Sequence, residues 1–254
     1  MSPIVAIPAR LASTRLPDKP LADVLGQPMI VHVWRRAMEA DVGPVLVACA
    51  EASIAEAVEA AGGRAVLTRP DHPSGSDRIW EAVQEFDPEG RHDVVVNLQG
   101  DLPNLDPAAV HAVLAPLSAP EVDIATLAVL IEDPAERADP SVVKALADFS
   151  AGRTARADDF LRELPPDLAG RPAYHHIGIY AYRRAALERF VGLPPSEREK
   201  ARKLEQMRAL DAGMQIDVAL VDSVPLGVDT PADLARIREL MAPSAGRLPA
   251  RSGR

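Results

Sequence analysis

Short apolar runs alternate with longer amphipathic stretches along most of the chain. Continuous apolar runs at residues 4–7, 45–48, 65–67, 93–98 and 124–129 read as buried strands. Between them, residues 29–40, 53–61, 76–86 and 107–117 read as helices. Pro28 opens the first of these, and Gly62-Gly63 closes the second. Strands apolar throughout are covered on both faces. Their alternation with helices predicts an α/β fold with a mostly parallel central sheet.

Residues 145–173 break this rhythm, being charged, Pro- and Gly-containing and poorly periodic. They predict an excursion from the sheet, a small inserted lobe or dimerisation arm. The pattern then resumes with a strand at 177–182, a helix at 200–212, a strand at 216–220 and a last helix at 231–241. Residues 243–254, rich in Pro, Gly, Ser and Arg, are expected to be a disordered tail. No internal repeat or linker stands out, so a single domain over 1–242 with one insertion is expected.

Composition narrows the function. Hydrophobic residues make up 47% of the 254 and aromatics only 4%, so the core must be built from Ala, Val, Leu and Ile. A net charge of -9 argues against a nucleic-acid or anionic-membrane partner, which needs a basic surface. It leaves a nucleotide substrate open, since one pocket can be basic on an acidic protein. The lone Cys49 cannot form an internal disulfide. There is no signal-like N-terminus and no run of the roughly 18 apolar residues a membrane span needs. A cytoplasmic protein is expected.

The first strand runs into Pro8-Ala9-Arg10-Leu11-Ala12-Ser13-Thr14-Arg15-Leu16-Pro17-Asp18-Lys19-Pro20-Leu21. Ligands of open α/β sheets sit at the carboxyl ends of strands. Small residues there let backbone N–H groups approach an anion, and Arg10, Arg15 and Lys19 add charged donors for phosphate oxygens. Pro17 and Pro20 stiffen the loop and lower its ordering cost. A merely solvated basic loop is the competing reading. Neither the P-loop nor the dinucleotide fingerprint is present, which disfavours a nucleotide kinase. Asp101 follows the strand at 93–98, and Asp229 follows a short apolar run at 224–228. Two such carboxylates suit Mg²⁺ beside a polyphosphate. Singly, Asp101 reads equally as a turn residue and Asp229 as a helix cap. His176 and Tyr180 share one face of their strand. His176 alone also reads as an ordinary half-buried histidine, and Glu205 as a solvated helix charge.

Taken together, these segments resemble the 3-deoxy-manno-octulosonate cytidylyltransferase family. The loop matches its signature Pro-Ala-Arg-x-x-Ser-Thr-Arg-Leu-Pro-x-Lys-Pro-Leu. His72-Pro73-Ser74-Gly75-Ser76-Asp77-Arg78, Asn97-Leu98-Gln99-Gly100-Asp101, His176-Ile177-Gly178-Ile179-Tyr180, Leu204-Glu205-Gln206-Met207-Arg208 and Val228-Asp229-Thr230-Pro231 follow in the same order. The resemblance spans almost the whole chain. It implies a Rossmann-like nucleotidyltransferase fold, a homodimer, and transfer of CMP from CTP to 3-deoxy-manno-octulosonate (Kdo), giving CMP-Kdo and pyrophosphate for lipopolysaccharide synthesis.

The resemblance also implies site residues. It places Ala9, Arg10, Ser13, Thr14, Arg15, Lys19, Ser74, Arg78 and Gln99 along the nucleotide. It places Gln99, Arg162, His176, Tyr180, Glu205 and Gln206 on the sugar acid, and Asp101 and Asp229 on Mg²⁺. Arg10, Lys19, Asp101 and Asp229 are the expected catalytic set. The family often has Gly-Asp-Glu-Pro where this chain has Gly100-Asp101-Leu102-Pro103, so that acidic residue is dispensable here. For the family's aromatic-Ser/Thr-Arg segment the nearest candidates are Phe160-Leu161-Arg162 and Phe149-Ser150-Ala151; Arg162 fits the arginine position, in more acidic surroundings. A cytidylyltransferase for sialic acid or an 8-amino Kdo analogue is the nearest alternative. A non-catalytic nucleotide- or sugar-binding module is the other, but it has no need of both aspartates.

Overall fold

The computed structural model describes residues 1–168 and 170–242. The expected tail at 243–254 lies outside the described residues. The strands are β1 (Pro3–Ala9), β2 (Asp23–Val24), β3 (Gln27–Pro28), β4 (Val45–Cys49), β5 (Ala65–Leu67), β6 (Val94–Asn97), β7 (Ile124–Leu130), β8 (Lys144–Ala147), β9 (Thr154–Leu161), β10 (Tyr174–Arg183) and β11 (Ile216–Leu220). The helices are α1 (Met29–Glu39), α2 (Ala52–Ala60), α3 (Gly75–Phe86), α4 (Pro107–Leu114), α5 (Pro134–Ala138), α6 (Arg184–Gly192), α7 (Glu197–Arg202), α8 (Met207–Asp211) and α9 (Pro231–Met241).

Among the described residues the main sheet has nine strands in the order β5-β4-β1-β6-β10-β7-β11-β9-β8, and β2 pairs with β3 in a small ribbon. The first four strands run parallel, with Val5 opposite Val45 and Ile4 opposite Val95. β10 then runs antiparallel between β6 and β7. β11 is parallel to β7, while β9 and β8 pair antiparallel. The sheet is therefore mixed, which corrects the expectation of a mostly parallel one. An apolar run records burial on both faces, not the direction in which the strand is threaded.

Successive residues of β1 point to opposite faces, and both faces are buried. Val5 and Ile7 join the core under α1, α2 and α4. Ile4 and Ala6 join the one under α3, α6 and α8. A third cluster packs Leu16, Val24 and Met29 against Val228, Leu234 and Ile237. It ties the opening loop to α9.

Three local expectations change. Within the segment 145–173, β8 and β9 hydrogen-bond into the sheet, with Tyr174 of β10 opposite Ala145 and Asp217 of β11 opposite Arg156. The helix expected at 200–212 is two short ones. α7 stops where Lys203 adopts a left-handed conformation, φ 54°, and the N–H groups of Lys203 and Leu204 both donate to Glu199 O. The run at 224–228 forms no strand. Asp229 stands instead in a loop that ends at the Thr230 N-cap of α9.

Candidate active site

The opening loop begins where β1 ends, at the carboxyl edge of the sheet. Leu11 N–H donates to Glu51 Oε2 at 3.1 Å, which pins its start. Leu16 is buried under α9, and Asp18 turns through a left-handed conformation into the single turn Lys19–Leu21. This leaves Arg10 and Arg15 exposed and carries Lys19 inward.

Two further loops meet it. After β6 the chain passes close under β1. A Cβ built on Gly100 would lie 2.9 Å from Pro8 O, so only glycine fits this crossing. That passage delivers Asp101. The loop before α9 is joined to it by Val228 N–H donating to Asp101 O at 3.0 Å. Asp229 N–H donates to Asp233 Oδ2, and Thr230 and Asp233 form a reciprocal capping box. Aspartates far apart in sequence thereby become neighbours. Lys19 Nζ stands between them, 2.8 Å from Asp101 Oδ2 and 3.0 Å from Asp229 Oδ1, with Arg15 3.1 Å from Asp229 Oδ2. Burial works against the charge on Lys19, but pairing with the two carboxylates outweighs it and raises its pKa.

A cavity of about 450 Å³ opens over this cluster. Its walls include Ala9, Arg10, Ser13, Thr14, Arg15, Lys19, Ser74, Arg78, Gln99 and Asp101, so every nucleotide-side residue expected from the sequence lines one space. Ser74 is the N-cap of α3, its hydroxyl accepting from Asp77 N–H at 3.2 Å. Arg78 is buried and largely engaged already. Its guanidinium donates to Thr68 Oγ1 at 2.6 Å and to the carbonyls of Arg69 and Pro70. It therefore shapes the cavity wall at 68–70.

The sugar-side residues form a second cluster beside the first turn of α3. Thr126 Oγ1 donates to the Ile179 carbonyl at 2.8 Å and accepts from His176 Nε2 at 3.0 Å. This leaves Nδ1 of the neutral ring as an acceptor. Burial pushes the His176 pKa down to about 3. The His176 and Tyr180 rings lie 5.5 Å apart, and burial raises the Tyr180 hydroxyl well above its usual range. Ser76 Oγ donates to Glu205 Oε2 at 3.1 Å, while Glu205 Oε1 and Gln206 Nε2 are buried without a hydrogen-bond partner. Such orphan atoms fit a polar ligand.

Arg162 is not brought to this cluster. Its guanidinium donates to the carbonyls of Arg202 and Lys203 at the end of α7, and to Pro140 O. Sequence reasoning passed over Thr126 and Ser76. Thr126 had one signal, a lone hydroxyl inside the otherwise apolar run of β7.

The profile of the cytidylyltransferase family matches residues 4–216. A 3-deoxy-manno-octulosonate cytidylyltransferase of Rhodospirillum centenum is 63% identical over 250 residues, covering 98% of this chain and 97% of that protein. The chain belongs to the 3-deoxy-manno-octulosonate cytidylyltransferase family. A second member, from Paramagnetospirillum magneticum, is 60% identical over 242 residues, covering 95% of this chain and 98% of its own. The solved structure of a CMP:2-keto-3-deoxy-manno-octonic acid synthetase complexed with CTP superposes with a TM-score of 0.86 at 40% identity, covering 95% of this chain and 99% of that one. The mixed α/β fold is thus that of a nucleotidyltransferase, and the chain is an enzyme of this class. Among the described residues, no helix is long and apolar enough to cross a membrane.

Proposed function

We propose that the cavity over Lys19, Asp101 and Asp229 binds CTP, and that CMP passes from there to the 2-hydroxyl of Kdo, releasing pyrophosphate. One observation carries this reading. Three separate loops bring two arginines, a lysine and two aspartates to one edge of the sheet, beside a cluster built for a polar, hydroxyl-rich ligand.

The reaction is an in-line displacement. The 2-hydroxyl oxygen bonds to the α-phosphorus, the bond from that phosphorus to the β-phosphate oxygen breaks, and the hydroxyl proton leaves to solvent. Arg10, Arg15 and Lys19 hold the β- and γ-phosphates and neutralise the leaving pyrophosphate. His176 is too weak a base to keep that proton at neutral pH, so it serves as a hydrogen-bond partner that orients the sugar acid. Glu205 and Gln206 add an acceptor and a donor from the orphan atoms. Arg162 reaches the sugar only by giving up its carbonyls at the end of α7.

Asp101 and Asp229 fit Mg²⁺. They are hard carboxylate donors already gathered around one cation, and this ion takes one or two carboxylates with phosphates completing its shell. Bound by them, it would offset charge developing at the α-phosphate and acidify the attacking hydroxyl. No cluster of three or more His, Cys, Asp or Glu suited to a metal occurs among the described residues. Beyond the two aspartates, substrate oxygens and water would complete any such site. As the resemblance implies, the enzyme works as a cytoplasmic homodimer. Residues 145–173 are the segment we assign to the dimer contact, and sedimentation of a chain with this segment altered tests that.

The activity is tested by pyrophosphate release with each of the four NTPs, with and without Kdo and Mg²⁺. Release is expected with CTP only, and only when both Kdo and the ion are present. Release with UTP in place of CTP overturns the base assignment. Release with sialic acid in place of Kdo overturns the sugar assignment.

A further inference from the structure

We propose that Arg208 is a positioning residue for the sugar-acid half of the site, holding the Glu205 carboxylate in place for the substrate hydroxyls. The inference rests on the reading of Glu205 as a sugar contact and adds what makes that contact work.

Glu205 lies in the turn between α7 and α8, a place where a side chain ordinarily swings into water. Here both ends of the turn are clamped. The Lys203 turn closes α7, and Leu204, Gln206, Met207 and Arg208 are buried. Arg208, one helical turn beyond Glu205, is locked from three sides. Its Nε and Nη2 form a fork on Glu199, at 2.8 and 2.6 Å. Its guanidinium lies over the Phe190 ring at 5.1 Å, and Nη1 donates to Leu193 O. Glu199 is fixed in turn, because it also closes the capping box of α7 with Ser196.

The fork on Glu199 leaves Arg208 Nη2 at 3.6 Å from Glu205 Oε1. At that separation it supplies charge without occupying the oxygen in a hydrogen bond. Glu205 therefore keeps one oxygen for Ser76, while the other, buried beside Arg208, has no hydrogen-bond partner and retains its capacity to accept one. The groups facing Glu205 are Ser74, Ser76 and Asp77 at the start of α3, Tyr180 and Tyr182 of β10, and Arg208 of α8. Burial raises the pKa of Glu205, and Asp77 adds to the rise. Ser74, Arg208 and Ser76 oppose it, and Arg208 is the one cation in that list. Without it, a buried carboxylate beside Asp77 is drawn toward its neutral form, which accepts hydrogen bonds poorly.

The test is steady-state kinetics of the full chain, varying Kdo and CTP separately and following kcat/KM for Kdo against pH. In Arg208→Met, KM for Kdo is expected to rise about tenfold or more, while KM for CTP stays within about twofold. The acidic limb of kcat/KM for Kdo is expected to move up by about one pH unit. Arg208→Lys restores the charge but not the fork, so it returns the limb toward wild type while part of the KM rise persists. If Arg208→Met does not fold, Arg208→Met with Glu199→Gln removes both partners and keeps a residue able to close the capping box. Parallel rises in both KM values overturn the proposal, as does an unmoved acidic limb with only a lower melting temperature. Glu205→Gln separates the two levels. Unchanged Kdo kinetics there sinks the sugar-contact reading itself, whereas a raised KM there with normal Arg208→Met kinetics sinks only the role of Arg208.

Discussion

Replacing Lys19 with methionine probes the centre of the site. The ammonium bridges Asp101 and Asp229 at 2.8 and 3.0 Å, and its side chain is only 17% exposed. In the free protein it is the cation shared by both carboxylates, with Arg15 a second partner of Asp229, so a divalent ion seeking the same oxygens must displace it. At an effective dielectric of about 20, each contact represents several kcal/mol of attraction before desolvation. Asp229 is 46% exposed, and screening brings the net for the pair to about 1–2 kcal/mol. Lys19→Met removes that competitor. Nucleotide-free protein should then bind a divalent ion about 5- to 30-fold more tightly than wild type. Mn²⁺ titration followed by the spin-resonance signal of free ion measures this directly. CTP should shrink the difference, because in the wild type the phosphates draw Lys19 away from the carboxylates. The variant should also melt lower than wild type without the ion and recover when it is added. Equal Mn²⁺ affinity of the two nucleotide-free proteins would refute the competition.

Other outcomes follow from the same geometry. Asp101→Ala should lower kcat by about 10²-fold or more while leaving CTP affinity within a few-fold, and near-normal turnover would remove Asp101 from the catalytic set. His176 has a depressed folded pKa of about 3, so below the unfolded value of about 6.5 the unfolded chain takes up a proton that the folded one refuses. Stability from this group is thus complete above about pH 6.5 and lost as the pH falls. Melting curves of wild type and His176→Asn between those limits should diverge in slope, with the wild type falling faster. Thr230→Ala removes the N-cap of α9 and should cost about 1 kcal/mol of stability by denaturant titration. Because that cap adjoins Asp229, Thr230→Ala should also raise the metal concentration needed for half-maximal activity.

The apolar runs of β1, β4, β5, β6 and β7, and the amphipathic spans of α1 to α4, were legible because their periods reflect burial, which each segment carries by itself. The phosphate-loop chemistry was legible for the same reason, being carried by contiguous residues at the end of the first strand. Asp101 and Asp229 could be named from their motifs, but not seen to share one lysine. That depends on Val228 N–H reaching Asp101 O and on Leu16 packing under α9. Strand direction was equally out of reach. β7 is as apolar as the parallel strands are, and only its pairing with β10 shows a neighbour running the other way. The helix read at 200–212 failed at Lys203, where tertiary burial of Leu204 and Gln206 wins over a propensity that favours continuing the turn. Arg162 matched a motif position, yet three backbone carbonyls distant in sequence hold its guanidinium. The sequence by itself determined which segments are buried and which side chains are chemically able to hold phosphate, metal and sugar. The tertiary structure alone decided which of them meet, because a distance between residues remote in the chain is set by register and packing, not by local pattern.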